Sequence, residues 1–262
     1  MDLKLTDKTA LVTGASQGIG FAGAKALADE GCLVTIAARD ENKLHNSAKT
    51  IEDSCGKRPT CERVDLSDSA STAKLTKKYA GSKQDIDILV ICTGHPSMPH
   101  FLDSTAEDWQ AGQDLLLRPV VELCQAFLPA MRANKFGRIV AIGSIYGLES
   151  EESSVIQSTY RKALLGLIKC IARDNAAYGI GANVICPGWF DTPLVHGLAD
   201  ETGTKEKRSV KDVLDEWQQV PPAKRFGTMD EMGALVAYLS SPVSSFINGT
   251  QITIDGAQLR SI

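Results

Sequence analysis

Three glycines, Gly14, Gly18 and Gly20, stand in the stretch TGASQGIG, after a short apolar run and at the start of a helix-periodic segment. Glycine lets the backbone turn tightly and lets another group approach it closely. A helix beginning at such a turn offers unpaired N–H groups and the positive end of its dipole to a phosphate. The spacing is G-x-x-x-G-x-G. Its strand–turn–helix setting makes Gly14, Ser16, Gln17, Gly18, Ile19 and Gly20 an expected dinucleotide-binding loop. Further on, Ser144 ends another apolar run and Tyr146 follows it by two residues. Gln157 and Arg161 are four apart and so share a helix face, with Tyr160 beside them. A hydroxyl, an amide and a guanidinium can hold an oxygen by hydrogen bonds, but the amide transfers no proton and the guanidinium stays protonated. Tyr146 and Tyr160, each near a guanidinium, are candidates for a lowered pKa and an acid–base role; half-buried packing is the other reading of both. His95 and His100, in TGHPSMPH, titrate near neutrality and could relay protons, or sit in a surface loop.

Such residues need a frame. Seven β-branched apolar runs occupy 9–14, 32–38, 60–66, 87–94, 138–144, 181–188 and 250–256. Segments of 3.6-residue periodicity lie between most of them, at 18–30, 41–54, 106–133, 157–178 and 229–240. Continuously apolar strands alternating with helices predict a single α/β domain over 1–262, a doubly wound parallel sheet of about seven strands with helices on both faces. The stretch 191–225 breaks the alternation, carries the charge run DETGTKEKRS and ends in VPPAKRFG. It is expected to be a lid-like insertion over a site, a surface loop being the alternative.

With 43% hydrophobic and 23% charged residues, the 262-residue chain has the make-up of a globular protein that fills a core. A net charge of −4 and the lack of a basic cluster argue against nucleic acid as a partner. No apolar stretch reaches the ~18 residues that span a membrane. The start, MDLKLTDKTALV, lacks the basic residues and apolar run of a signal peptide. The seven cysteines are scattered without a C-x-x-C, and the four histidines do not cluster, so no metal site is expected and a reducing, cytoplasmic setting is.

The glycine motif, VDL at 64–66, CTG at 92–94, IGS at 142–144, NVICPGWFDTP at 183–193 and INGTQITIDGA at 247–257 share the order and spacing of one family. Over essentially its whole length the chain resembles the short-chain dehydrogenase/reductases. The resemblance implies a Rossmann-like fold, a homotetramer, a nicotinamide dinucleotide at the C-terminal ends of the strands, and hydride exchange with a small-molecule alcohol or carbonyl. It places Asp65 and Leu66 at the adenine, Gly94 beside the cofactor, and Pro187, Gly188 and Thr192 at the nicotinamide end. The family's ribose-binding carboxylate, a mark of NAD, falls on Ala38, and Arg39 follows with a guanidinium suited to a 2′-phosphate. NADP is therefore expected, with NAD left possible by Asp40.

Catalysis departs from the resemblance. The family orients the substrate oxygen with Ser, moves its proton with Tyr, and supports both with Lys and Asn. Ser144 matches, but the Tyr position thirteen residues on is Gln157, the Lys position is Arg161 and the Asn position is Leu116. The expected roles follow. Ser144 and Gln157 hold the substrate oxygen, Arg161 binds the nicotinamide ribose and supplies fixed charge, and Tyr146 or Tyr160 is the displaced acid. Trp189 and Phe190 shape the pocket, and Glu149, Glu151 and Glu152 crowd the preceding loop. The leading reading is an NADP-preferring oxidoreductase with a non-standard site. The alternatives are a cofactor-binding member without dehydrogenase activity, such as a sensor or structural subunit, or non-redox chemistry on the same fold.

Overall fold

The computed structural model describes residues 1–81 and 85–260. Its strands are β1 (Thr9–Thr13), β2 (Leu33–Ala38), β3 (Thr60–Arg63), β4 (Ile88–Ile91), β5 (Gly137–Ile142), β6 (Ile180–Pro187) and β7 (Gln251–Ile254). They form one parallel sheet in the order β3-β2-β1-β4-β5-β6-β7. Every residue of β4, β5 and β6 is buried, as expected where helices cover both faces. The strand order reverses between β1 and β4, which opens a crevice at their C-terminal ends.

The helices are α1 (Gly18–Asp29), α2 (Glu41–Cys55), α3 (Ser69–Tyr79), α4 (Ala106–Leu116), α5 (Arg118–Ala133), α6 (Val155–Asn175), α7 (Pro193–Glu206), α8 (Val210–Trp217) and α9 (Met229–Ser240). Leu27, Leu44 and Val236 carry α1, α2 and α9 onto one face of the sheet. Leu75, Phe127, Leu164 and Ile168 carry α3, α5 and α6 onto the other. Among the described residues no helix is long and apolar enough to cross a membrane. The seven cysteines are free.

One expectation changes, and the alternative reading of 191–225 as a surface loop falls away. The helix expected over 106–133 is two, broken at Leu117, because Pro119 lies in the first turn of α5 and has no N–H to continue the ladder of α4. Arg118 fixes the joint, reaching Asp114 at 2.9 Å and Glu122 at 3.0 Å and donating to the carbonyl of Ser67 at 2.8 Å. The stretch 191–225 is mainly helical rather than a loop. Thr192 caps α7 and Ser209 caps α8, each accepting from a backbone N–H three residues on. Part of the charge run closes on itself, with Arg208 bridging Glu206 at 2.9 Å and Glu216 at 2.5 Å.

Candidate active site

A cleft of about 920 Å³ opens where β1, β2, β4, β5 and β6 end. Its floor is the glycine turn. Gly14 and Gly18 hold φ of +62° and +59°, a region that favours glycine. A Cβ on Gly14 would lie 2.6 Å from the Cys92 carbonyl oxygen, and one on Gly20 would lie 2.4 Å from that of Gly14. The turn therefore closes only with glycine at both positions. Gln17, at the N-cap of α1, gives no side-chain cap, and the first turn holds no acidic residue. A side-chain oxygen caps α2, α3, α4, α7, α8 and α9, while α5 and α6 share the lack of one. The first N–H groups of α1 are thus left open beside Ser16, Gln17, Gly18 and Ile19, which line the cleft.

Arg39, Asp40 and Lys43 line the cleft beyond β2. The Asp40 carboxylate caps α2, accepting from the Lys43 N–H at 3.0 Å, so the helix already uses the acid that kept NAD open. Arg39 and Lys43 are exposed cations on one wall. Sequence reasoning missed Lys43; the signal was its place in the first turn of a helix whose cap follows Arg39 directly. Asp65 accepts from the Oγ and N–H of Ser67 at 2.6 and 2.9 Å. Those bonds, with the Arg39 charge nearby, hold its carboxyl below the usual range against the opposing effect of burial. Leu66, Gly94, Pro187, Gly188 and Thr192 also line the cleft. A Cβ on Gly188 would meet the Asp255 Cβ at 2.8 Å, which fixes that position as glycine too.

At the other end, Ser144 follows β5 and opens a short 3-10 turn, its Oγ accepting from the Tyr146 N–H at 3.2 Å. Gln157, on α6, is buried but lines the cleft, and its amide makes no hydrogen bond among the described residues. Arg161, one turn later, is 5% exposed. Its Nη1 donates to the Ile142 carbonyl at 2.7 Å and to Thr93 Oγ1 at 3.3 Å, and its Nη2 to the Gly94 carbonyl at 2.8 Å. It ties the end of β5 to the segment after β4. Its Nε–H is buried without a partner. Burial pushes the guanidinium pKa down, against the Cys92 and Cys186 thiols. The expected role of Arg161 is to bind the nicotinamide ribose; its two Nη atoms are engaged by the chain, which leaves the Nε–H as its unpaired donor.

The structure separates the two candidate phenols. Tyr146 lines the cleft. Tyr160 does not; its hydroxyl donates to the Trp109 carbonyl at 3.0 Å and its ring meets the Trp109 ring at 6.0 Å, packing α6 on α4. The expected lowering of their pKa values is absent. Burial raises both, helped by the Glu151 charge at Tyr146 and by Asp114 at Tyr160. The guanidinium that was to lower them is turned onto the strand ends. His95 lines the cleft with Nδ1 2.9 Å from the Pro96 carbonyl, and burial lowers its pKa, whereas His100 is exposed and lies outside the cleft. Trp189 and Phe190 line the cleft, and so does Trp217 of α8, which sequence reasoning did not place there. The Trp189 and Trp217 rings lie 4.9 Å apart. Glu151 accepts from the Ser153 hydroxyl at 3.1 Å, and Glu149 accepts from the Arg260 N–H at 3.0 Å.

One cleft thus brings together an uncapped helix N-terminus on a glycine turn, the exposed cations Arg39 and Lys43, and the polar side chains of Ser144, Tyr146 and Gln157. A family model described as Enoyl-(Acyl carrier protein) reductase matches residues 14–257. Oxidoreductase UcpA of Escherichia coli (strain K12) is 35% identical over 257 residues, 97% of this chain and 95% of that protein. L-Sorbose reductase from Gluconobacter frateurii, solved in complex with NADPH and L-sorbose, superposes with a TM-score of 0.94 at 28% identity over 100% of both chains. A 3-oxoacyl (acyl-carrier-protein) reductase from Agrobacterium tumefaciens C58 with NADP bound gives a TM-score of 0.86 at 28% identity, over 97% of this chain and 95% of that one.

Proposed function

The chain belongs to the short-chain dehydrogenase/reductase family of oxidoreductases, and on that premise we propose that it is an NADP(H)-preferring oxidoreductase of a small carbonyl or alcohol substrate with a non-standard active site. The observation that carries the reading is one cleft that joins the uncapped N-terminus of α1, on its glycine-only turn, to the cations Arg39 and Lys43. Like α5 and α6, α1 has no side-chain cap, and its open N–H groups lie on the glycine turn, where a pyrophosphate would sit. A 2′-phosphate would then meet Arg39 and Lys43, with Asp65 and Leu66 along the adenosine and Gly94, Pro187, Gly188 and Thr192 at the nicotinamide end. The Arg161 Nε–H, buried and unpaired, is one donor of that guanidinium which the chain leaves unused. Two of the similar solved structures hold NADPH or NADP, which supports the fit.

The bound nicotinamide supplies the hydride donor or acceptor. The residues of this chain do the rest. Ser144 and Gln157 donate hydrogen bonds to the substrate oxygen. Tyr146, kept protonated by burial and by Glu151, is the third donor at the cleft and gives the oxygen its proton as the hydride arrives, taking one back from water. Arg161 contributes fixed positive charge and holds the ends of two strands in register beneath the reacting atoms. The helices α7 and α8 serve as a lid in this reading, since Leu194, Leu198 and Trp217 line the cleft. A homotetramer and a cytoplasmic setting complete the proposal, on the family resemblance and the free cysteines.

Calorimetric titration with NADPH and NADH tests it. NADPH is expected to bind more tightly, and Arg39→Ala and Lys43→Ala to remove most of that preference. Tighter NADH binding that neither substitution changes would overturn the assignment of the cationic wall. One second reading has an observation of its own. An amide at 157 transfers no proton and the Nη atoms of Arg161 are engaged by the chain, which suits a cofactor-binding protein without turnover.

A further inference from the structure

The two ends of the cleft differ in kind. Arg39, Lys43, Asp40 and Asp65 gather at the end beyond β2. At the other end Trp189, which follows β6, and Trp217, the last residue of α8, set their rings 4.9 Å apart and 36° from parallel. Leu194 and Leu198 from α7, with Met98 and Leu115, extend this apolar wall. The ionisable groups nearby are spoken for. The Glu151 carboxylate accepts from Ser153, the His95 Nδ1 faces the Pro96 carbonyl, and the Nη atoms of Arg161 bond to strand ends. The cation lining this end is Arg161, which is buried with both Nη atoms engaged by the chain and so offers an anionic substrate little. Ser144, Tyr146 and Gln157 can seat one oxygen, and flat rings prefer offset or tilted contact with flat rings.

We propose that Trp189 and Trp217 form the binding wall for a planar, neutral carbonyl compound, a ring-conjugated ketone or aldehyde whose single oxygen is taken by Ser144 and Gln157. The substrate class rests on the oxidoreductase reading; the wall itself rests on the indole pair and the placement of charge. Its two halves come from different elements. Trp189 belongs to the loop fixed by the strand end, whereas Trp217 rides on the insertion. Binding of a flat ring therefore couples α8 to the sheet.

The test uses the full chain, with and without saturating NADP, and reads calorimetry together with tryptophan fluorescence. Acetonaphthone is compared with a straight-chain methyl ketone and with L-sorbose. Acetonaphthone is expected to bind most tightly and to quench the indoles. Trp217→Ala and Trp189→Ala should each weaken it by about tenfold, a change equal to ~1.4 kcal/mol, and leave NADP affinity unchanged. Trp217→Phe should keep most of the binding. The inference is overturned if L-sorbose or the aliphatic ketone binds as tightly, or if both alanine variants bind acetonaphthone like the parent. Loss of NADP binding in the parent would instead overturn the oxidoreductase reading, and the indole result without NADP still decides the wall.

Discussion

Replacing Arg161 by Met keeps the length of the side chain and removes its charge and its donors. The Ile142 and Gly94 carbonyls and the Thr93 hydroxyl lose their partners at 2.7, 2.8 and 3.3 Å. An unpaired buried acceptor costs about 1–3 kcal/mol. Ile142 is buried and bears the full cost, while Gly94 is exposed and water can replace the guanidinium there. Thr93 can turn its hydroxyl. Relief of burying a cation works in the opposite direction. The net loss is therefore set near the cost of one buried carbonyl, about 2 kcal/mol. For a chain of this size that lowers the melting temperature by about 4–8 °C. Thermal unfolding followed by circular dichroism reads the shift, and a parallel NADPH titration reads the cofactor end. The variant should melt lower and bind NADPH more weakly, because the strand ends it held also shape the end of the cleft proposed for the nicotinamide. A melting temperature within a degree of the parent would refute the view of Arg161 as a clamp between β4 and β5.

Gly20→Ala should lower NADPH affinity by more than about tenfold, since its Cβ would stand 2.4 Å from the Gly14 carbonyl and must open the turn; unchanged calorimetry would contradict this. Ser144→Ala should lower turnover by about 10²–10³ with NADPH affinity intact, as expected for one lost donor to a developing oxyanion. Tyr146→Phe should lower turnover as well, whereas Tyr160→Phe should leave the rate near the parent's and cost about 1 kcal/mol of stability through the lost bond to Trp109. Equal rates in the two Phe variants would refute the separation of the phenols. Glu231, paired with Arg225 and capping α9, has its carboxyl held down from 4.5 to about 2. A depressed folded-state value stabilises above the unfolded value and fades as pH falls through the folded one. Glu231→Gln should thus melt below the parent at neutral pH, with the gap closing between about pH 4.5 and 2; a gap independent of pH would exclude the linkage.

The sheet was legible because its central strands β4, β5 and β6 are buried throughout and read as apolar runs, although the edge strands β3 and β7 do not, and the glycine turn because only glycine fits it. The break at Leu117 was hidden because the apolar periodicity continues across it; what stops the ladder is the missing N–H of Pro119, a backbone matter. Helix α3 escaped notice because SASTAKLTKKY offers only Leu75 and Tyr79 as large buried residues. In the site, residue types at the expected register told which side chains face the cleft, and Ser144, Gln157 and Arg161 do. Register did not tell where the Arg161 guanidinium points, because its partners are carbonyls of two other strand ends, which no sequence pattern marks. For the same reason the phenol shifts ran opposite to expectation: burial and a neighbouring carboxylate outweighed a guanidinium aimed elsewhere. Trp217 was invisible as a cleft residue because only the folding of α7 on α8 brings it beside Trp189.

The central claim is hydride exchange at a cleft whose oxygen seat is Ser144 and Gln157. The most direct measurement supplies NADPH deuterated at its transferring carbon to the full chain with a panel of ketones and aldehydes, ring-conjugated members included, and weighs the products by mass spectrometry. The account predicts a product heavier by one deuterium at the former carbonyl carbon, and far less of it from Ser144→Ala and Gln157→Ala. NADPH that binds normally and passes no deuterium to any member of the panel would contradict the account and establish the chain as a cofactor-binding member without dehydrogenase activity.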